Sequence, residues 1–254
     1  MYKIPASTVF MGKNLVFMPE CHSTNTFALE LCHHSIIPEE GTVVATANQT
    51  AGRGQRGSTW IVEPGANLTF SIILYPAFLT IADQFYLNMA ICLGINDYLI
   101  GKECEKVCIK WPNDIYVGDR KICGILIENQ ISGKSINSSI VGIGLNINQI
   151  IFSMNTATSL SLETGTTYEL SNELEHLLVG IESRFLMLRD AHFNLLKKDY
   201  LNSLYRINEE HTFEFESEKF RGTITGVDSH GRLLIQVAHE QRTFEMKEVK
   251  FIMP

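Results

Sequence analysis

Short apolar runs separated by turn residues fill most of the chain, and their period changes along it. Residues 14–17 and the β-branched run 41–47 read as strands, the first ending at Pro19 and the second short enough to be buried. Between them, Ser23 or Thr24 caps a helix predicted over residues 25–34, with Ala28, Leu31 and Cys32 on one face. Residues 68–74 alternate apolar and polar, and Thr80 opens a helix over 81–100 whose Phe85, Met89 and Leu93 recur at helical spacing. Residues 107–117 read as a strand broken at Pro112, and turns at 118–120 and 132–134 lead into strands over 121–128 and 138–148. Strands joined by turns give a mixed or antiparallel sheet, because a doubly wound parallel sheet needs helices between its strands. Residues 170–204 carry one long helix or two. After Asn208 the period falls to two, and short strands over 212–216, 220–227, 232–237 and 242–246 suit a small β-barrel. The predicted class is α+β, with a larger domain over 1–207 and a smaller one over 208–254.

Composition narrows the function. The chain has 254 residues, 45% of them hydrophobic, and a net charge of −7, which argues against a general nucleic-acid surface and makes any basic site local. Six cysteines without a Cys-x-x-Cys pair read as reduced core thiols, and His33-His34 beside Cys32 reads as packing or surface rather than metal ligation. There is no signal-peptide core and no apolar run long enough for a membrane span, so a cytoplasmic protein with no membrane partner is expected.

The densest chemistry lies in Gln49-Thr-Ala-Gly-Arg-Gly-Gln-Arg-Gly-Ser-Thr-Trp60. Gly52, Gly54 and Gly57 let the backbone approach a ligand, while Arg53 and Arg56 supply forked donors for phosphate or carboxylate. The loop fits Gly-x-Gly-x-x-Gly, yet neither the following helix nor the later acidic residue of a dinucleotide site is present. A P-loop fails as well, since Ser58 stands where its lysine belongs. A second candidate is Lys110 in Lys110-Trp-Pro-Asn-Asp114. Its neighbours Ile109 and Trp111 are expected to be buried, so the ammonium points into a pocket with a negative occupant, or else snorkels or pairs with Asp114.

Taken in order, Ser23-Thr24-Asn25, the glycine loop with Trp60, Pro64-Gly-Ala-Asn-Leu68, Lys110-Trp-Pro-Asn-Asp114, Lys121-x-x-Gly124-Ile-Leu-Ile-Glu128, Gly142-Ile-Gly-Leu-Asn-Ile-Asn148 and Ala157-Thr-Ser-Leu160 resemble the biotin protein ligases over nearly the whole chain. The resemblance implies a catalytic domain related to class II aminoacyl-tRNA synthetases and lipoate ligases, followed by an SH3-like β-barrel. It also implies two steps: biotin and MgATP give biotinyl-AMP, and a lysine of a biotin carboxyl carrier domain, part of a biotin-dependent carboxylase, then takes the biotinyl group.

Carried onto this sequence, the resemblance makes Lys110 and Arg53 the catalytic cations. Ser23, Thr24, Asn25, Gln49, Gly52, Gly54, Gln55 and Trp60 join them around biotin, and Arg56, Asn113, Lys121 and Asn146 lie nearer the nucleotide. Asp114 or Glu128 approaches Mg²⁺. The Ser-Thr-Asn motif comes by residue 23, so no DNA-binding segment and no repressor role are expected, while pairing through an edge strand leaves a homodimer open. Gln55 departs from the arginine of many relatives and removes one positive charge from the loop, and Glu63 replaces a commoner serine. The Arg-Arg-x-x-Gly-Gly-Gly signature of lipoate or octanoate transferases is absent.

Overall fold

The structure is a computed structural model describing residues 2–61, 63–133, 135–153 and 155–252. Seven strands form the larger sheet: β1 (Leu15–Cys21), β2 (Val43–Gln49), β3 (Leu68–Leu74), β4 (Val107–Lys110), β5 (Asp114–Val117), β6 (Arg120–Ser132) and β7 (Ser135–Leu145). Their order is β1-β2-β3-β7-β6-β5-β4, parallel between β1 and β2 and antiparallel elsewhere. The sheet is therefore mixed, as the strand-turn-strand pattern predicts. The parallel pair exists because helix α1 (Thr24–Cys32) supplies the crossover that two parallel neighbours need. Ser23 caps it, accepting the Thr26 N–H.

Both faces of the sheet are covered, and side chains alternate between them. Val44, Ile73 and Ile140 pack with Ala28 of α1 on one face, while their neighbours Val43, Ile72 and Val141 join the main core on the other. That core lies under α2 (Gln84–Gly101), which packs against α4 (Leu170–Arg189) and α5 (Phe193–Asn202). Held between sheet and helices, α2 is apolar nearly all round. Gly94 admits the close crossing, since a Cβ there would lie 2.6 Å from the Ile181 Cα.

Three local expectations change, and one left open is decided. The helix predicted from residue 81 begins with a 3₁₀ turn, Ile81–Asp83, and Thr80 donates to the Asp83 carboxylate rather than capping the helix. The helical stretch after residue 170 is two helices, parted at Ala191 with φ +59°. Residues 107–117 are a hairpin, not one interrupted strand, with Lys110 opposite Asp114 and a cis Trp111–Pro112 bond in its turn. A five-residue helix, α3 (Leu160–Thr164), lies in what reads as a loop.

The remaining strands, β8 (Glu210–Phe215), β9 (Glu218–Val227), β10 (Leu233–Val237), β11 (Glu240–Phe244) and β12 (Val249–Phe251), make an antiparallel sheet of order β11-β10-β9-β8-β12. Among the described residues no ladder joins β11 to β12, so this is an open five-stranded sheet. It packs on the β4–β5 hairpin, where the Trp111 indole donates to the Gly231 carbonyl at 2.8 Å.

Candidate active site

Strand β3 lays the floor of the site. Its polar residues alternate as expected for a strand with a wet face, but Thr69 and Ser71 are buried. They point toward α1. Ser71 Oγ lies 2.7 Å from Thr24 Oγ1 and 2.6 Å from Asn25 Oδ1, so its one proton serves two acceptors in turn. Gln49 Oε1 accepts the Thr24 backbone N–H at 2.8 Å, and Asn25 Nδ2 donates to Glu128 at 2.8 Å and to the Leu126 carbonyl. Glu128 also accepts from Arg53 Nη2 at 2.9 Å. One hydrogen-bonded chain thus runs from β2 through the Ser-Thr-Asn turn to the glycine loop.

Glycines on β7 make the room. A Cβ at Gly142 would lie 2.2 Å from Asn25 Oδ1, and one at Gly144 would lie 2.2 Å from Trp60 Cε2, so both side chains rest against bare backbone. The glycine loop is itself a small closed turn: Trp60 N–H donates to the Gly52 carbonyl, Gly54 N–H to the Ser58 carbonyl, and Gln55–Gly57 form a 3₁₀ turn. The buried Trp60 Nε1 has no hydrogen-bond partner among the described residues. The indole nitrogen is shut against the Gly144 backbone rather than open to the cavity.

These elements enclose a cavity of about 440 Å³, a size that suits a small ligand. Of the predicted site residues, Ser23, Thr24, Asn25, Gln49, Arg53, Gly54, Gln55, Trp60, Lys110, Asn113, Asp114 and Lys121 line it. Gly52 and Glu128 line an adjoining cleft under the same loop. Asn146 is not among the lining residues. It is buried, donating to the Thr158 carbonyl, with its Oδ1 unpartnered among the described residues. The side chain of Arg56 lies outside the described residues.

The cavity's cations differ in what offsets their charge. Arg53 pairs with Glu128, and Lys121 pairs with Asp114 at 2.6 Å. Lys110 has no ion-pair partner among the described residues; its ammonium donates to the Tyr116 hydroxyl at 3.3 Å. The expected alternative of a Lys110–Asp114 pair therefore does not occur. Burial above all pushes the Lys110 pKa below its usual value of 10.5; Asp114 opposes this, and Arg206 and Lys121 add to it.

Sequence reasoning missed two parts. Ser71 was detectable only as a polar residue in strand alternation, a pattern that normally marks a solvent face. Lys247, Val249, Lys250 and Phe251 of the smaller sheet also line the cavity, and Lys247 Nζ donates to the Gln55 carbonyl on the glycine loop. No motif carries these residues. Among the described residues there is no group of three or more histidine, cysteine or carboxylate side chains placed to hold a metal, and no helix long and apolar enough to cross a membrane. All six cysteines are free thiols, and burial, with Asp119 adding to it, raises that of Cys108 to about 12.

The fold has close counterparts. The biotin protein ligase of Aquifex aeolicus solved with biotin and ATP superposes with a TM-score of 0.76 at 26% identity, covering 94% of this chain and 100% of that one. The biotin--[acetyl-CoA-carboxylase] ligase of Paracoccus denitrificans is 28% identical over 239 residues, covering 90% of this chain and 97% of that protein. The bifunctional ligase/repressor BirA of Bacillus subtilis is 31% identical over 237 residues, covering 90% of this chain and 71% of the relative. A family profile matches residues 18–146, just over half of the sequence. The chain belongs to the biotin/lipoate A/B protein ligase family.

Proposed function

We propose that the protein is a biotin protein ligase that makes biotinyl-AMP from biotin and MgATP and passes the biotinyl group to a lysine of a carboxylase carrier domain. The observation that carries this reading is the polarity of one cavity. Neutral hydrogen-bonding groups, Ser23, Thr24, Asn25 and Gln49, occupy one wall, and Arg53, Lys110 and Lys121 stand around the rest. The neutral set matches a ureido ring, which both donates and accepts, while the cations match a carboxylate and phosphates brought together.

In the first step a carboxylate oxygen attacks the α-phosphorus, a mixed anhydride forms, and pyrophosphate leaves. Two anions approach one another, so the barrier falls when fixed positive charge faces the pentavalent phosphorus oxygens. Lys110 fits this task because no carboxylate among the described residues forms an ion pair with it. Arg53 joins when its exchange-prone surface pair with Glu128 opens. In the second step the carrier amine attacks the anhydride carbonyl, the C–O bond to AMP breaks, and the amine proton passes to solvent or to phosphate. The glycine loop keeps water from the anhydride until then.

Magnesium fits as a companion of the nucleotide. Asp114 is the one carboxylate among the described lining residues, and magnesium in such sites takes one or two carboxylates together with substrate phosphates. Asp114 would hold the ion, which supplies neutralisation of phosphate charge. Asn113 and Lys121, which line the same cavity, would lie toward the nucleotide; the proposed division of the chain is 1–207 for catalysis and 208–254 for an SH3-like unit. Incubation with biotin, MgATP and a carboxylase carrier domain tests the reading: mass spectrometry should find one biotinyl group on one carrier lysine, and lipoate in place of biotin should give none. Lipoylation without biotinylation would favour a lipoate ligase.

A further inference from the structure

Lys110 is half-buried, lies near Arg206 and Lys121, and has no ion pair among the described residues, yet it must keep its charge to act on an anion. What compensates the ammonium is aromatic. Its Nζ sits 4.8 Å from the centre of the Tyr116 ring and 5.2 Å from the centre of the Phe251 ring. Both rings are held from behind: Tyr205 packs on Tyr116 at 5.8 Å, and Phe213 meets Phe251 edge-on at 5.3 Å. Tyr116 belongs to the same hairpin as Lys110, but Phe251 comes from β12 of the smaller sheet.

Resting on the reading of this cavity as a biotin-activating site, we propose that Phe251 is a positioning residue for the reaction, holding the Lys110 ammonium against Tyr116 by its ring face and so making adenylate formation depend on the smaller sheet. A ring quadrupole suits the task better than a carboxylate. It attracts the ammonium in a site where water is scarce but leaves its net charge whole, whereas a carboxylate would cancel the charge the phosphates need. Two ion-paired cations of the cavity illustrate the contrast, since Arg53 and Lys121 must give up carboxylate partners before they can meet an anion. Three donors on Nζ, one of them used by the Tyr116 hydroxyl, leave two for substrate oxygens.

Ring fluorination separates this role from packing, because it drains the ring face of electron density with little change of shape. Phe251 is replaced in the full chain by phenylalanine analogues with one, two and three ring fluorines, and biotin-dependent exchange of pyrophosphate into ATP is followed. The proposal expects kcat to fall stepwise, about 3- to 30-fold across the series, with KM for biotin little changed, and expects Phe251→Trp to keep the rate. A flat series in a protein whose exchange is abolished by Lys110→Ala would overturn the role of Phe251 while leaving the functional reading intact. A wild-type protein with no exchange would instead sink the functional reading. The clamp is then still tested by NMR: the Lys110 side-chain methylene protons should resonate upfield and move downfield in Phe251→Leu, and ordinary lysine shifts in both would overturn it.

Discussion

Arg53 of the glycine loop and Glu128 of β6 form an ion pair at 2.9 Å, and the same carboxylate oxygen takes the Asn25 amide. The loop that would close over the adenylate is thereby tied to the Ser-Thr-Asn turn. The pair is 47% and 30% exposed, so it contributes little stability and exchanges readily. Glu128→Gln keeps an acceptor for Asn25 but frees the guanidinium. Stability should change by less than about 1 kcal/mol in thermal unfolding, and calorimetry should show tighter binding of biotinyl-AMP. Weaker binding would mean that Glu128, not the freed arginine, is what the ligand needs.

The bare backbone under Asn25 is a second point of leverage. In Gly142→Ala the new methyl group would displace Asn25 from Ser71 and Glu128. Biotin affinity should fall about 10- to 100-fold, the cost of one buried hydrogen bond left unmade, while circular dichroism stays native. Unchanged affinity would remove Asn25 from the biotin wall.

Lys247 touches the glycine loop through the Gln55 carbonyl. Lys247→Ala should leave pyrophosphate exchange nearly intact but shorten the lifetime of bound adenylate, read as increased labelling of bystander lysines. Equal labelling by both proteins would show that the contact does not hold the loop.

Lys110 sets a pH dependence whose sign follows from its lowered pKa. A lysine that binds its proton less tightly folded than unfolded costs stability while charged, and stability rises as pH climbs from the lowered value toward 10.5. Lys110→Met should therefore be more stable than wild type at neutral pH, with the difference shrinking above the Lys110 pKa. Catalysis runs the other way, declining as Lys110 loses its proton. A stability difference independent of pH would mean that the ammonium is not strained by its surroundings.

Much of this was legible in the chain. The strand-turn-strand run 107–148, the capped helix at Ser23 and the two signature stretches around Arg53 and Lys110 are local patterns, and local patterns survive folding. What was not legible depends on through-space pairing. The polar alternation of β3 reads as a solvent face unless one knows that α1 covers it, which is why Ser71 was missed. Which carboxylate meets which cation was equally hidden: Lys121, opposite Tyr116 across the β5–β6 ladder, reaches Asp114, two residues back on β5, and leaves Lys110 to the aromatic rings. Phe251 lies in a strand with no motif, and its approach to Lys110 follows from the docking of the smaller sheet on the β4–β5 hairpin.

Biotin-dependent exchange of labelled pyrophosphate into ATP, run on wild type and Lys110→Ala with biotin and lipoate in parallel, tests the central claim most directly. Wild type should exchange with biotin and not with lipoate, and Lys110→Ala should lose about 10²- to 10³-fold, as expected for one fixed charge removed from a developing anion. Exchange that proceeds in Lys110→Ala at the wild-type rate, or with lipoate alone, would contradict it.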